Sequence, residues 1–352
     1  MIKSILILVI TITFSKLSYA SEDVLKDANL YTVKFRTSVD KPFREDKNAG
    51  LRKGSGFLVN KDKGLILTNA HVTGRSKSKV RVAFKNYGFS PVKQVYVDPR
   101  IDIAIVQIDP KLIPIEAKEA KLKCDGKVPS GTSVAAFGHP KDLSFSASRG
   151  IVSKYRFFSG KDVIQTDTAI NKGNSGGPLI DMNTGLVIGV NKSSYTKSSG
   201  LSFAVPSKNV CIILNLFNEG KNPSPIKLPI RFAEDREAED YLKVGSFYHN
   251  GKNIEIGSSL IAVNDTKIKT PSELDFILRG KTGEAKLTFK NDTSTKNYNI
   301  TIKPEDKILD RKYLYLSGAI ISRDPRTMYD EKEKPFLIHS VVDGTEAELA
   351  GL

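Results

Sequence analysis

Residues 171–179 read Asn-Lys-Gly-Asn-Ser-Gly-Gly-Pro-Leu, and the reading of the whole chain starts from this stretch. A glycine two positions before Ser175 lets the backbone bend so that the amides of Gly173 and Ser175, with Asn174 between them, converge on one point. Convergent amides of this kind suit a developing oxyanion. Gly176 and Gly177 leave room for a substrate beside the serine, and Pro178-Leu-Ile-Asp181 continues as an apolar strand that anchors the loop.

A serine hydroxyl attacks only when a base takes its proton, and the chain contains four histidines. His71 ends the apolar run Leu65-Ile-Leu-Thr-Asn-Ala-His-Val72. His139 lies in a Gly-His-Pro loop, while His249 and His339 have no serine or acid context along the sequence. The acid that would orient His71 is Asp102, which opens the strand-like run Ile103-Ala-Ile-Val-Gln-Ile108. Asp98 competes with it, but Asp98-Pro99 reads as a turn opener. His71, Asp102 and Ser175 occur in one of the chain orders in which such a triad is found. A tight turn and a structural histidine are the bland readings of each piece alone; all three pieces in order outweigh them.

From residue 54 to 206 short apolar runs alternate with turns, the pattern of an all-β sandwich or barrel. Residues 109–130 form a polar connector between the His/Asp half and the Ser half, which suits two barrels with the site in the cleft between them. A helix is expected next, with Ser207 as N-cap, Val210–Phe217 as body and Gly220 as stop. Residues 221–226, with two prolines, read as a linker. A second domain covers 227–304: a strand within Ile254–Asn264, a helix opened by Thr270-Pro-Ser-Glu273 and ended by Gly280, then a hairpin of Ala285–Phe289 with Tyr298–Ile302. A further segment, 310–352, reads as part of another such domain, with an exposed core edge.

The 352 residues are enough for two or three domains. Residues 1–20, with Lys3, an apolar Ile5–Phe14 and Ser18-Tyr-Ala20, read as an export signal, and no second apolar run long enough to span a bilayer follows. The formal charge of +15 becomes +13 without Lys3 and Lys16. The lysines are spread along the chain with no nucleic-acid motif, so the charge reads as a basic surface that attracts acidic substrates or membranes. Two cysteines, Cys124 in the connector and Cys211 on the helix, have no metal-ligand spacing. Export permits a disulfide between them, and two separate thiols are the equal alternative.

Gly54-Ser-Gly-Phe57, Thr68-Asn-Ala-His-Val72, Asp102-Ile-Ala-Ile105, Gln165–Asn171, Gly173–Pro178, Gly189-Val-Asn191 and Leu201–Pro206 resemble, in order, the HtrA/Deg family of serine endopeptidases. The resemblance implies a mostly β chain: a trypsin-like double β-barrel over 21–220, a PDZ-like α+β domain over 227–304 and an incomplete second PDZ-like domain over 310–352. It implies a periplasmic, or alternatively secreted, endopeptidase that needs no cofactor or metal. Such an enzyme acts on unfolded polypeptides through an acyl-enzyme and assembles as a trimer or larger. An idle protease fold serving as scaffold or holdase is the alternative. In a trypsin-like pocket that favours Lys or Arg, the position six residues before the serine is aspartate; here it is Ala169. With Ile170, Val190 and Asn191 as walls, the pocket is expected to favour small aliphatic residues. The chain also departs from the family. Pro229 removes an amide from Leu228-Pro-Ile230, where the family binds a terminal carboxylate, and the stretches 38–50, 155–162 and 245–257 are short.

Overall fold

The computed structural model describes residues 22–46, 48–126, 128–139, 145–158, 160–194, 201–233, 242–247, 254–323 and 336–351. The proposed export signal, His249 and part of the segment 245–257 therefore lie outside the described residues.

Twelve strands form two closed six-stranded barrels. The first contains β1 (Thr32–Val39), β2 (Gly50–Asn60), β3 (Leu65–Thr68), β4 (Lys79–Ala83), β5 (Ser90–Asp98) and β6 (Ile103–Gln107), in the order β1-β2-β3-β6-β5-β4. The second contains β7 (Ser133–Gly138), β8 (Ser146–Phe158), β9 (Lys161–Thr166), β10 (Pro178–Asp181), β11 (Val187–Ser194) and β12 (Ser202–Pro206), in the order β10-β11-β12-β9-β8-β7. Short β-branched and aromatic runs fill both interiors, as strand propensity and period-two burial require. Val33, Phe35, Phe57, Leu67, Ile103 and Ile105 pack the first barrel; Val134, Val152, Ile164, Leu179 and Ile188 pack the second. The first core continues through Ile180, Val187 and Val205 to Val210 and Ile213 of the closing helix, so the barrels share apolar surface.

A helix over 22–31 (α1), which the sequence reading did not anticipate, lays Ala28 and Tyr31 on the first core. A single helical turn, α2 (Ala70–Thr73), follows β3. The closing helix α3 spans Ser207–Asn218, and it corrects one expectation. Ser207 is inside the first turn, and its hydroxyl donates to the Val187 carbonyl at 2.8 Å rather than capping the helix. Gly220, at φ +70°, ends the helix as expected. Its amide donates to the Phe217 carbonyl and that of Lys221 to Leu216, the paired bonds of a left-handed C-terminal stop. Cys211 of α3 is bonded to Cys124, with Cα atoms 5.8 Å apart.

Beyond the linker lie β13 (Ile226–Lys227), β14 (Ile230–Phe232), β15 (Val244–Phe247), β16 (Ser259–Val263), β17 (Thr266–Lys267), β18 (Gly283–Lys290) and β19 (Thr295–Pro304). Five of them form the sheet β13-β19-β18-β16-β17, and β14 pairs with β15. The helix α4 (Pro271–Leu278) begins as read: the Thr270 hydroxyl accepts the Glu273 amide at 3.2 Å, and the Glu273 carboxylate accepts the Lys269 amide at 2.7 Å. The hairpin pairs Ala285 with Ile300 and Leu287 with Tyr298. In the last segment β20 (Leu314–Leu316), β21 (Ala319–Arg323) and β22 (Phe336–Val341) form a sheet followed by the turn α5 (Glu346–Leu349). Ile320 of β21 packs on Phe43, Val97 and Ala104 of the first barrel, while Leu314, Leu316 and Phe336 are exposed. Among the described residues no helix is long and apolar enough to cross a membrane.

Candidate active site

The turn α2 carries His71, and Asp102 lies just before β6, the partner of β3. Three bonds sew the backbones together: the Asn69 side chain and the Ala70 amide donate to the Asp102 carbonyl at 3.0 and 3.2 Å, and the His71 amide donates to Asp102 Oδ1 at 3.0 Å. These bonds hold Asp102 at φ +66°, a left-handed conformation that costs a non-glycine residue energy. The strain places Oδ2 2.8 Å from His71 Nδ1. A carboxylate only accepts, so Nδ1 carries the proton and Nε2 has a free lone pair for base work. Asp102 is 2% exposed. Burial opposes its ionisation, but His71, Lys192 and Arg75 outweigh it and hold the carboxyl at about 2.

Three residues that support this pair, Arg75, Asp46 and Arg52, were not found in the sequence. Arg75 Nη2 donates to Asp102 Oδ1 at 3.3 Å, and its amide donates to buried Asp46 Oδ1 at 2.7 Å. Arg52 bridges Asp46 Oδ1 at 2.9 Å and the His71 carbonyl at 3.2 Å. Only the spacing of Arg75, one helical turn beyond His71, hinted at a role; Arg52 and Asp46 come from a different strand and loop.

The serine loop is tied to the first barrel. The Ser175 carbonyl accepts the Ser55 amide at 2.8 Å, and the Gly173 carbonyl accepts the Ser55 hydroxyl at 2.6 Å. Gly173 sits at φ +107°, and neither its amide nor that of Ser175 donates to any acceptor among the described residues. Asn174 is different. Its amide donates to the Asn171 carbonyl at 3.0 Å, so it closes the turn and is removed from the set of oxyanion donors. The expectation for Gly176 and Gly177 is corrected too. A Cβ on Gly176 would lie 2.1 Å from Thr68 Oγ1 and 2.2 Å from the Ser55 carbonyl, and one on Gly177 would lie 2.2 Å from the Phe137 carbonyl. The protein's own backbone occupies the space that was expected to receive substrate.

The Ser175 hydroxyl donates to the Lys192 carbonyl at 2.7 Å, and no bond joins it to His71 among the described residues. Lys192 lies at a bulge where β11 shifts register between Asn191 and Ser193. Of the other expected pocket residues, Ala169 is exposed and Ile170 is buried in the second core. Val190 is buried as well, and the Asn191 amide group is fully buried and donates to the Pro178 carbonyl at 2.9 Å. These last two side chains pack and brace the strand; the part of β11 that meets the serine is its backbone. Asp98 is fully buried and paired with Arg279, away from the triad. His139 is a loop residue as read. His339 does have a serine beside it in space: Ser322 Oγ lies 2.6 Å from its Nε2, in a buried pair. No group of metal-ligating side chains occurs among the described residues.

Residues 54–190 match the family model of a trypsin-like peptidase domain. A probable periplasmic serine endoprotease, DegP-like, of Pseudomonas putida is 31% identical over 284 residues, which cover 72% of this chain and 57% of the relative. The chain thus spans just over half the length of that curated relative. Among solved structures, an HtrA-type protease AlgW with a tripeptide superposes with a TM-score of 0.65 at 22% identity, covering 80% of this chain and 96% of that one. The serine endoprotease from Yersinia pestis gives 0.60 at 23%, covering 81% and 98%. At these identities the likeness is one of fold.

Proposed function

We propose that this chain, which belongs to the HtrA/Deg family of serine proteases, is an exported endopeptidase that cleaves unfolded polypeptides. The observation that carries the reading is the Asp102–His71 pair beside a loop whose Gly173 and Ser175 amides donate to no acceptor among the described residues. Ser175 attacks the peptide carbonyl, and His71 Nε2 takes the hydroxyl proton and later gives it to the leaving amine. Asp102 fixes the His71 tautomer and stabilises its cation. The two amides hold the oxyanion, an effect worth roughly 3–4 kcal/mol per donor.

The bond from Ser175 to the Lys192 carbonyl must open first. A substrate main-chain N–H that donates to that carbonyl takes the hydroxyl's place and frees it to turn toward His71. Binding and activation are then one event. The cleft carries no acid where Ala169 stands, so small aliphatic side chains are preferred before the scissile bond over Lys or Arg, whose desolvation would go uncompensated. Export to the periplasm, a role in removing damaged proteins and assembly into trimers or larger belong to the same reading.

The test is degradation of casein by the purified mature protein. Wild type degrades it. Ser175→Ala abolishes the activity with the circular-dichroism spectrum and melting temperature unchanged, and Asp102→Asn lowers the rate by about four orders of magnitude because the wrong tautomer is favoured. Degradation by a clean Ser175→Ala preparation would exclude the serine mechanism.

A further inference from the structure

The catalytic acid has a second cation. Asp102 Oδ2 faces His71, while Oδ1 accepts Arg75 Nη2 at 3.3 Å. Arg75 follows the turn that carries His71, and Gly74 at φ +80° bends the chain between them. A guanidinium is a planar fork, and here its two outer nitrogens meet two fixed acceptors. Nη1 donates to the Glu45 carbonyl at 3.0 Å and Nη2 to Asp102. The Arg75 amide is tied as well, to Asp46 Oδ1 at 2.7 Å. The same Asp46 oxygen accepts Arg52 Nη1, which also donates to the His71 carbonyl. The Arg75 side chain is 20% exposed and that of Asp102 is 3% exposed. The pair is thus unlike a solvated surface ion pair, whose worth is small.

Glu45, which fixes one arm of this fork, is itself held from far along the chain. Arg311 Nη1 and Nη2 donate to its Oε2 and Oε1 at 3.2 and 3.0 Å, a two-point bond, and the Arg311 guanidinium lies 5.0 Å from the Phe43 ring centroid. Charge matters beside geometry. Burial opposes the ionised Asp102, and His71, Lys192 and Arg75 outweigh it. Lys192 of β11 acts through space, and Lys161 at the start of β9 lies in electrostatic reach of the same carboxylate. Besides His71, Arg75 is the cation that bonds to Asp102 among the described residues. One carboxylate therefore serves two partners: His71, which gains a proton during turnover, and Arg75, which is always charged. A carboxylate shared in this way holds an imidazolium less tightly than an unshared one.

We infer that Arg75 is a positioning residue for the reaction: it holds the Asp102 carboxylate in the orientation that His71 needs and shares its negative charge, while the Arg311–Glu45 pair keeps it in place. The left-handed backbone of Asp102, at φ +66°, is unfavourable by itself, so the acid depends on such external bonds. Sharing the charge leaves the Nε2 lone pair of His71 available to lower pH than Asp102 alone would allow. The inference rests on the endopeptidase reading and adds to the triad a residue that its motifs do not contain.

The test follows kcat and KM of the purified protein on an internally quenched peptide with Val before the scissile bond, from pH 5 to pH 9. Rates are expressed per active site titrated with a fluorophosphonate, which removes any contribution from misfolded molecules. Arg75→Met lowers kcat on the plateau about tenfold and leaves KM unchanged, since Arg75 does not touch the substrate. Losing one cation stabilises protonated His71, so the acid limb of kcat/KM moves up by ~0.5 pH unit. Arg75→Lys keeps the charge without the fork, so the limb returns to its wild-type position while kcat stays low. Arg311→Gln lowers kcat about threefold, and combining it with Arg75→Met costs nothing beyond Arg75→Met alone. An acid limb that Arg75→Met does not move, or a wild-type kcat per site in that variant, overturns the inference while Ser175-dependent cleavage by the wild type upholds the protease. Additive losses in the double variant overturn the link to Arg311. A wild type that cleaves neither the peptide nor casein overturns the endopeptidase reading and the inference with it.

Discussion

Asp102 and His139 show that burial, which opposes the charged form at both, prevails at only one of them. At Asp102 the surrounding cations overcome desolvation, and the carboxyl, lowered from 3.8 to about 2, stays charged. Its contribution to stability is complete above pH 3.8 and is lost only as pH falls toward 2. At His139 burial comes first and Lys34 adds to it, lowering the ring from 6.5 to about 3. A histidine kept neutral in the fold but protonated in the unfolded chain favours unfolding as pH drops below 6.5, with the penalty growing until pH 3. At pH 5 it amounts to about 2 kcal/mol. His139→Gln keeps an acceptor for the Phe145 amide and removes the titration. The melting temperature of this variant is therefore expected to fall less between pH 7 and pH 5 than that of wild type. Parallel profiles would show that His139 is not the source of the acid sensitivity.

Between elements, the end of α4 is driven into the first barrel. Arg279, with a fully buried side chain, donates to Asp98 Oδ2 at 2.7 Å and to the Pro223 carbonyl at 2.6 Å, and it also pairs with Asp275. Removing only the cation leaves the buried Asp98 carboxylate without an ion pair among the described residues and Asp275 with Arg100 alone, at 3.6 Å. Arg279→Met is expected to lower unfolding stability by about 3–5 kcal/mol, and adding Asp98→Asn is expected to recover part of the loss. Urea denaturation of the two variants checks both signs; equal stability of Arg279→Met and wild type would contradict the clamp. This residue also shows what the sequence could and could not reveal. Asp98 was read as a turn opener, and its Oδ1 does accept the Arg100 and Ile101 amides. Its other oxygen serves a partner 181 positions away, which no local pattern encodes. Strands, α4 and the hairpin were legible because their signals are short-range: period, capping box and stop glycine. The triad was legible because each member lies in its own short motif. Arg75, Arg52 and Ser55 were missed because their roles exist only after β1, β2 and the serine loop meet. Gly176 was misread for the same reason, since the atoms that fill its missing Cβ come from Ser55 and Thr68.

Across the molecule, both the disulfide and the C-terminal segment bear on the two barrels. The Cys124–Cys211 bond closes a loop of 87 residues that contains the whole second barrel, joining its entrance to its closing helix. On the other side, Arg311 pairs with Glu45 at 3.0 Å, the Glu45 carbonyl accepts Arg75 at 3.0 Å, and Arg75 reaches Asp102. His339 of β22 accepts the Arg44 amide at 3.3 Å and stacks on Phe43. The segment after the sheet β13-β19-β18-β16-β17 thus holds the loop between β1 and β2 that supports the acid and base of one barrel, while the nucleophile comes from the other. The central claim is that this assembly makes Ser175 a nucleophile. The most direct measurement is the intact mass and peptide map of the purified protein after exposure to a fluorophosphonate, which bonds only to an activated hydroxyl. The account predicts a single adduct, on Ser175, absent in Ser175→Ala and formed far more slowly in Asp102→Asn. No adduct on Ser175, or one that forms as fast in Asp102→Asn as in wild type, would contradict it.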